Sequence, residues 1–185
     1  ELAEGLCKHA KVMAKKARES DEDPVPSALS FHRVTTAFVD EYPVILDREL
    51  TANGLRQTLE CYAIEGGSGL PALDDLLRLQ RLLADKDHAR GAARELLGLI
   101  GRSPEQASRH YARWREVMID KQPGQIKTFD DALARLGVLY RPGGLPYCGE
   151  DGAGIRRSPL GDVLTLNAVG NRIEPPADAA QEPTR

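Results

Sequence analysis

The sequence predicts a mainly α fold: an irregular bundle of about seven helices, then a short Gly/Pro-rich C-terminal subregion with room for a small β-hairpin. Three observations predict it. Apolar residues recur at helical spacing from Leu2 to Gly137. The composition is 41% apolar but only 5% aromatic, a balance led by Leu and Ala that suits aliphatic helix ridges better than a strand-rich sandwich. Glycine and proline then become frequent after Gly137. At 185 residues the chain is long enough to bury a real core. Residues 1–174 are read as one domain, helical over 1–137 and irregular over 138–174, with a loose polar tail at 175–185. The chain opens at Glu1 directly into a helical pattern, which reads as part of something longer.

Leu2, Leu6, Met13 and Ala17 recur opposite Lys8, Lys11, Lys15, Lys16 and Arg18, so residues 2–19 predict an amphipathic helix. The acids and prolines of 21–26 end it. Ser27 is placed to cap a second helix carrying Leu29, Val34, Phe38 and Val39, which Tyr42-Pro43 stops. A third runs from about Val44 to Ala63 with a weak point at Asn53-Gly54. The glycine cluster 65–69 follows a helix rather than a strand, so it reads as a connector and not as a phosphate cradle.

Pro71 opens a fourth helix whose leucines cover most of its circumference, marking it as the central one. Asp87 is placed to cap a fifth over 88–100, with Ala92, Leu96, Leu99 and Ile100 inward. Ser103, Pro104 and Gln106 form a capping-box pattern that starts a sixth helix reaching Lys121. Thr128 starts a short seventh, which Gly137 ends in a left-handed cap. Val138 to Arg141, Val163 to Leu166 and Arg172-Ile173 read as short extended pieces.

Composition narrows the function. The formal net charge of −3 is the wrong sign for a chain whose main task is to neutralise phosphates. No apolar run approaches the roughly 20 residues of a membrane span. Cys7, Cys61 and Cys148 are too scattered for a disulfide framework or a zinc site; Cys7 and Cys61 read as small buried hydrophobes. His9, His32, His88 and His110 pair with no nucleophile in the sequence. Asp74-Asp75 and Asp130-Asp131 read as first-turn acids that favour the helix dipole. Neither a metal nor a cofactor is expected.

One stretch argues for DNA. Glu95 to Trp114 resembles a helix-turn-helix with Gly101 at the corner and Gln106, Arg109, His110 and Arg113 on the reading face. Against it, Leu97 stands where a small residue is wanted. Residues 86–121 carry eight Lys/Arg and five Asp/Glu, a balance of only +3. Two core helices joined by a capped turn explain the same residues, so nucleic acid is the alternative partner and not the first.

The loop from Tyr140 to Asp151 strands Leu145, Pro146 and Tyr147 between glycines. It either folds back onto the core or presents an apolar patch to a partner. Cys148 is a poor nucleophile beside Glu150 and Asp151, which raise a thiol pKa.

In length, helical layout, Ala/Arg/Leu/Asp-rich composition and irregular end, the whole chain resembles the C-terminal XL-box ubiquitin-ligase modules of plant-pathogen type III effectors. The resemblance implies a ligase unlike the RING, U-box or HECT types, secreted by a bacterium into a host cell. It implies recruitment of a host ubiquitin-conjugating enzyme and ubiquitin, with the protein substrate presented by another domain. Such a scaffold needs no catalytic residue, because positioning carries the rate. The partner-binding patch expected here joins His110, Arg113 and Trp114 of the sixth helix to Leu145, Pro146 and Tyr147 of the loop. Trp114, the only tryptophan, is also a natural core anchor, and burial would remove it from the patch. Besides DNA binding, the other alternative is a plain interaction domain without activity.

Overall fold

A computed structural model describes residues 1–35, 37–65, 69–84, 90–138, 144–149 and 153–173. Among the described residues the fold is mainly helical, with seven helices; the strands are two-residue pieces. The helices are α1 (Leu2–Lys16), α2 (Tyr42–Arg48), α3 (Leu73–Ala84), α4 (Arg90–Arg102), α5 (Pro104–Lys121), α6 (Pro123–Arg135) and α7 (Leu160–Ile173). The strands are β1 (Ala28–Leu29), β2 (Thr51–Ala52), β3 (Leu55–Arg56), β4 (Tyr62–Ala63) and β5 (Arg156–Arg157).

The core lies among α3 to α7. Helix α3 is central, as its leucines predict: it packs on α4, α6 and α7 and buries Leu76, Leu79 and Leu83. It begins at Leu73 rather than Pro71, because the preceding Ala72 bridges to Ala63. Asp74 and Asp75 do occupy its first turn. Ser103 alone separates α4 from α5. Its Oγ accepts the Gln106 N–H at 3.4 Å, but the other half of the capping box is absent, since the Ser103 N–H donates to the Leu99 carbonyl of α4. Gly137 has φ 76°, and the Val138 N–H reaches the Leu133 carbonyl at 2.9 Å, the left-handed cap expected of it.

Three expectations fail. The helix placed over 27–41 does not form: Ala28–Leu29 pairs antiparallel with Tyr62–Ala63, and the Ser27 carbonyl accepts the Ile64 N–H. Val34, Phe38 and Val39 are exposed, so their spacing was never a burial pattern. The helix placed over 44–63 is α2 alone. Asn53-Gly54 is the turn of the β2–β3 hairpin, with φ of 50° and 71°, the left-handed pair that a two-residue hairpin needs. The small hairpin therefore lies in the N-terminal half. Lastly, Val163 to Leu166 and Arg172-Ile173 belong to α7, not to strands.

The seventh expected helix starts five residues early, at Pro123, with proline in the first turn. Asp87, Tyr140 to Gly143 and the 175–185 tail fall outside the described residues.

The C-terminal region is integral rather than irregular. Strand β5 adds in parallel to β3, and α7 packs on α3 and α4. Gly161 allows this, because a Cβ there would lie 2.2 Å from the Gln57 carbonyl oxygen. Gly161→Ala should therefore cost about 1–3 kcal/mol by urea denaturation. Gly98→Ala, within α4 with open space at its Cβ, should be neutral or stabilising by up to about 1 kcal/mol. Equal effects from the two would refute the close approach.

Candidate functional site

The expected docking patch divides across the surface of the core. On α5, Ala107, Tyr111, Arg115 and Met118 face inward. Arg113 points out and meets Glu116 at 3.2 Å. Trp114 turns toward the core, stacking on Tyr111 with centroids 5.7 Å apart and meeting Phe129 edge-on at 5.1 Å. His110 is intermediate. Its Nδ1 lies 3.8 Å from Glu95 Oε1, while its Nε2 is buried without a hydrogen-bond partner among the described residues. The imidazole borders a cavity of about 10 Å³ with Leu83, Leu96, Trp114, Phe129 and Leu160. That is the space of about one water molecule.

Residues 144–149, the described part of the loop, fold back. Leu145 is 8% exposed and joins the core, and Pro146 is buried. Tyr147 is half-buried under the Arg156 guanidinium, 4.9 Å from its ring centroid. The Cys148 N–H donates to the Arg157 carbonyl at 2.7 Å, tying the loop to β5. Leu145 and Pro146 thus serve the core, and of the six residues Arg113 is the exposed one.

Burial raises the Cys148 thiol pKa, with Arg157 partly opposing it; Glu150 and Asp151 lie outside the described residues. Cys61 is fully buried, as expected, and burial raises its thiol too. Cys7 is exposed, against expectation. The Gly101 corner is also corrected: α4 continues through it to Arg102, where Asn53 of the hairpin donates to the Ile100 carbonyl at 2.9 Å.

The densest chemistry is a buried polar cluster that local sequence signals missed. Asp162, in the first turn of α7, accepts hydrogen bonds from the Leu59 N–H at 2.9 Å and from the Tyr62 hydroxyl. Burial raises its carboxyl pKa to about 6, against hydrogen bonds from Tyr62, Leu59 and Thr58. Next to Leu59 in the chain, Glu60 is buried with a left-handed φ of 70°, a conformation that costs a non-glycine residue about 1 kcal/mol or more. Arg56 clasps Glu60 at 2.7 Å while also reaching Asp47 and Thr51 at 3.0 Å each. His9 Nε2 lies 3.1 Å from the other Glu60 oxygen. Burial pushes the Glu60 pKa up, but His9, Arg56 and Arg157 overcome it and hold the group at about 2. Among the described residues no His/Cys/Asp/Glu group is arranged to hold a metal.

Outside the cluster, α1 and α2 border an open groove of about 570 Å³, with His9 and Tyr42 on its wall and Val12 and Val39 beside it. Phe38, next in the chain to Val39, is 92% exposed; Val34, Val12 and Val39 are exposed as well. No helix among the described residues is long and apolar enough to cross a membrane. No family model, known protein or solved structure matches the chain.

The two carboxylates act oppositely on stability. Asp162 holds its proton more tightly folded than unfolded, so its contribution grows as pH falls from 7 toward 4. Glu60 contributes above its unfolded value near 4.5 and is lost as pH falls toward 2. Asp162→Asn keeps an acceptor for both donors but cannot titrate. Between pH 7 and pH 5 the natural protein should gain about 1 kcal/mol relative to that variant in urea melts. Parallel pH profiles would show that Asp162 is not the group that titrates near 6.

Proposed function

We propose that this chain is a docking module, and that its task is the one its resemblance implies. It binds a ubiquitin-loaded conjugating enzyme in a host cell and promotes transfer to a substrate presented by another domain, with no cysteine intermediate of its own. The observation that carries the docking reading is the exposure of Val34, Phe38 and Val39 in one short segment, with Val39 and Val12 on the wall of one open groove. A phenyl ring so exposed offers an apolar anchor to a partner. Two of the three thiols support the non-covalent half. A covalent ligase needs a thiolate, whereas burial disfavours ionisation of both Cys61 and Cys148.

A second reading, DNA binding through α5, draws on the exposure of Gln106, Arg109 and Arg113 along one side of the helix. The continuous helix at Gly101 weighs against it. A labelled duplex should show no binding tighter than the micromolar, non-specific range at low salt.

The deciding assay combines activating enzyme, a panel of conjugating enzymes, ubiquitin and ATP. Ubiquitin chains should form, and Cys7→Ser and Cys148→Ser should each retain nearly all activity. Phe38→Asp should lower it at least about tenfold with circular dichroism unchanged, because an anchor side chain carries a large share of binding energy. Loss of activity in either folded cysteine variant would refute the non-covalent mechanism. No chains with any conjugating enzyme would refute the ligase assignment and leave a plain interaction domain.

A further inference from the structure

Helices α3 and α6 border a second open groove of about 520 Å³, which shares no lining residue with the groove of α1 and α2. Three guanidinium groups border it: Arg78 and Arg81 from α3, and Arg135 from the last turn of α6. Arg78 and Arg81 are three apart and so share a helix face. The groove's acid, Asp131, is engaged by Lys127 at 2.8 Å. Arg78 has a loose contact with Asp75 at 3.8 Å, and Arg81 and Arg135 form no ion pair among the described residues. Leu82 and Ala132 supply an apolar wall between the charges, and Gln125 adds an exposed amide.

We infer that this groove is a binding site for a short acidic peptide segment of a partner protein, one with aliphatic residues between its carboxylates. The chemistry selects that ligand. Guanidinium groups pair with carboxylates through two parallel hydrogen bonds, and three of them stand on two helices here without a full set of acids of their own. The wall of Leu82 and Ala132 matches an aliphatic side chain held between carboxylates. A sugar-phosphate backbone has no such group, and a long polyanion laid across this surface meets a chain of net charge −3. The inference is independent of the ligase reading.

The test is fluorescence anisotropy on the full chain, with a short fluorescein-labelled peptide of glutamates interrupted by leucines. Saturable micromolar binding at low salt is expected, weakening as salt rises. The double variant Arg81→Glu/Arg135→Glu should weaken binding at least about tenfold with the circular dichroism spectrum of the folded chain retained, both side chains being exposed. Arg113→Glu, a charge reversal on another helix, should leave it unchanged. A peptide with serine in place of leucine should bind more weakly. Absence of saturable binding, or equal binding by the double variant, would overturn the site. If a single-stranded oligonucleotide of matched charge bound more tightly and lost binding in the same variant, the groove would be a nucleic-acid site and the peptide assignment would fall.

Discussion

The fold depends on one buried carboxylate. Asp162 accepts from Leu59 and Tyr62, residues 103 and 100 positions earlier in the chain. Each of those donors is buried, and a buried donor left without a partner costs about 1–3 kcal/mol. The N-terminal strand segment therefore keeps its shape only while α7 is docked. The β3–β5 pairing and the contact of Gly161 with Gln57 act at the same junction. The C-terminal helix closes the molecule over elements laid down in its first third.

The neighbouring charges make that junction specific. Glu60 sits with a left-handed backbone inside the protein, which is unfavourable on two counts: strain and desolvation. Arg56, His9 and the nearby Arg157 offset the second. The first is offset only by what that geometry permits, since it aims the carboxylate at partners from α1 and β3. Arg56 extends the network to Asp47 at the end of α2. A shift of α1, α2 or the hairpin would leave a buried charge unpaired. The few short strands hold their register through these side chains more than through their brief ladders.

How much of this was legible follows from the range over which each signal acts. The start of α5 at Ser103-Pro104, the cap at Gly137 and the leucine-rich α3 were readable because caps and helical periodicity are local. Residues 27–63 were misread for the opposite reason: their apolar runs are short, and short runs do not separate helix from strand. Asn53-Gly54 was there to correct the error, being a strong local hairpin signal. The Val163 to Leu166 run, rich in strand-favouring side chains, became helical because Leu160, Val163 and Asn167 align on one buried face against the core. Tertiary packing decided that, not propensity. At the expected patch, the exposed Arg113 was legible. The return of Leu145 and Pro146 to the core was not, since it depends on Arg156 and Arg157 of β5.

The separation of core and surface decides where function can reside. Helix α5 spends its inner face on Tyr111, Arg115 and Met118, with Arg115 held by both oxygens of Asp130. Burial alone would lower the Arg115 pKa, yet that ion pair and the Tyr111 hydroxyl raise it, so the side chain is committed to joining α5 to α6. The same reasoning removes Trp114, Leu145 and Asp162 from any docking role, because contact with a partner would first have to take them from the core. Phe38, Arg81 and Arg135 are not members of that core. Their side chains lie outside the packed interior, where packing places little constraint on residue type. The proposed contacts with partners use only a ring and guanidinium groups at such positions, so they would form without taking any side chain from the core.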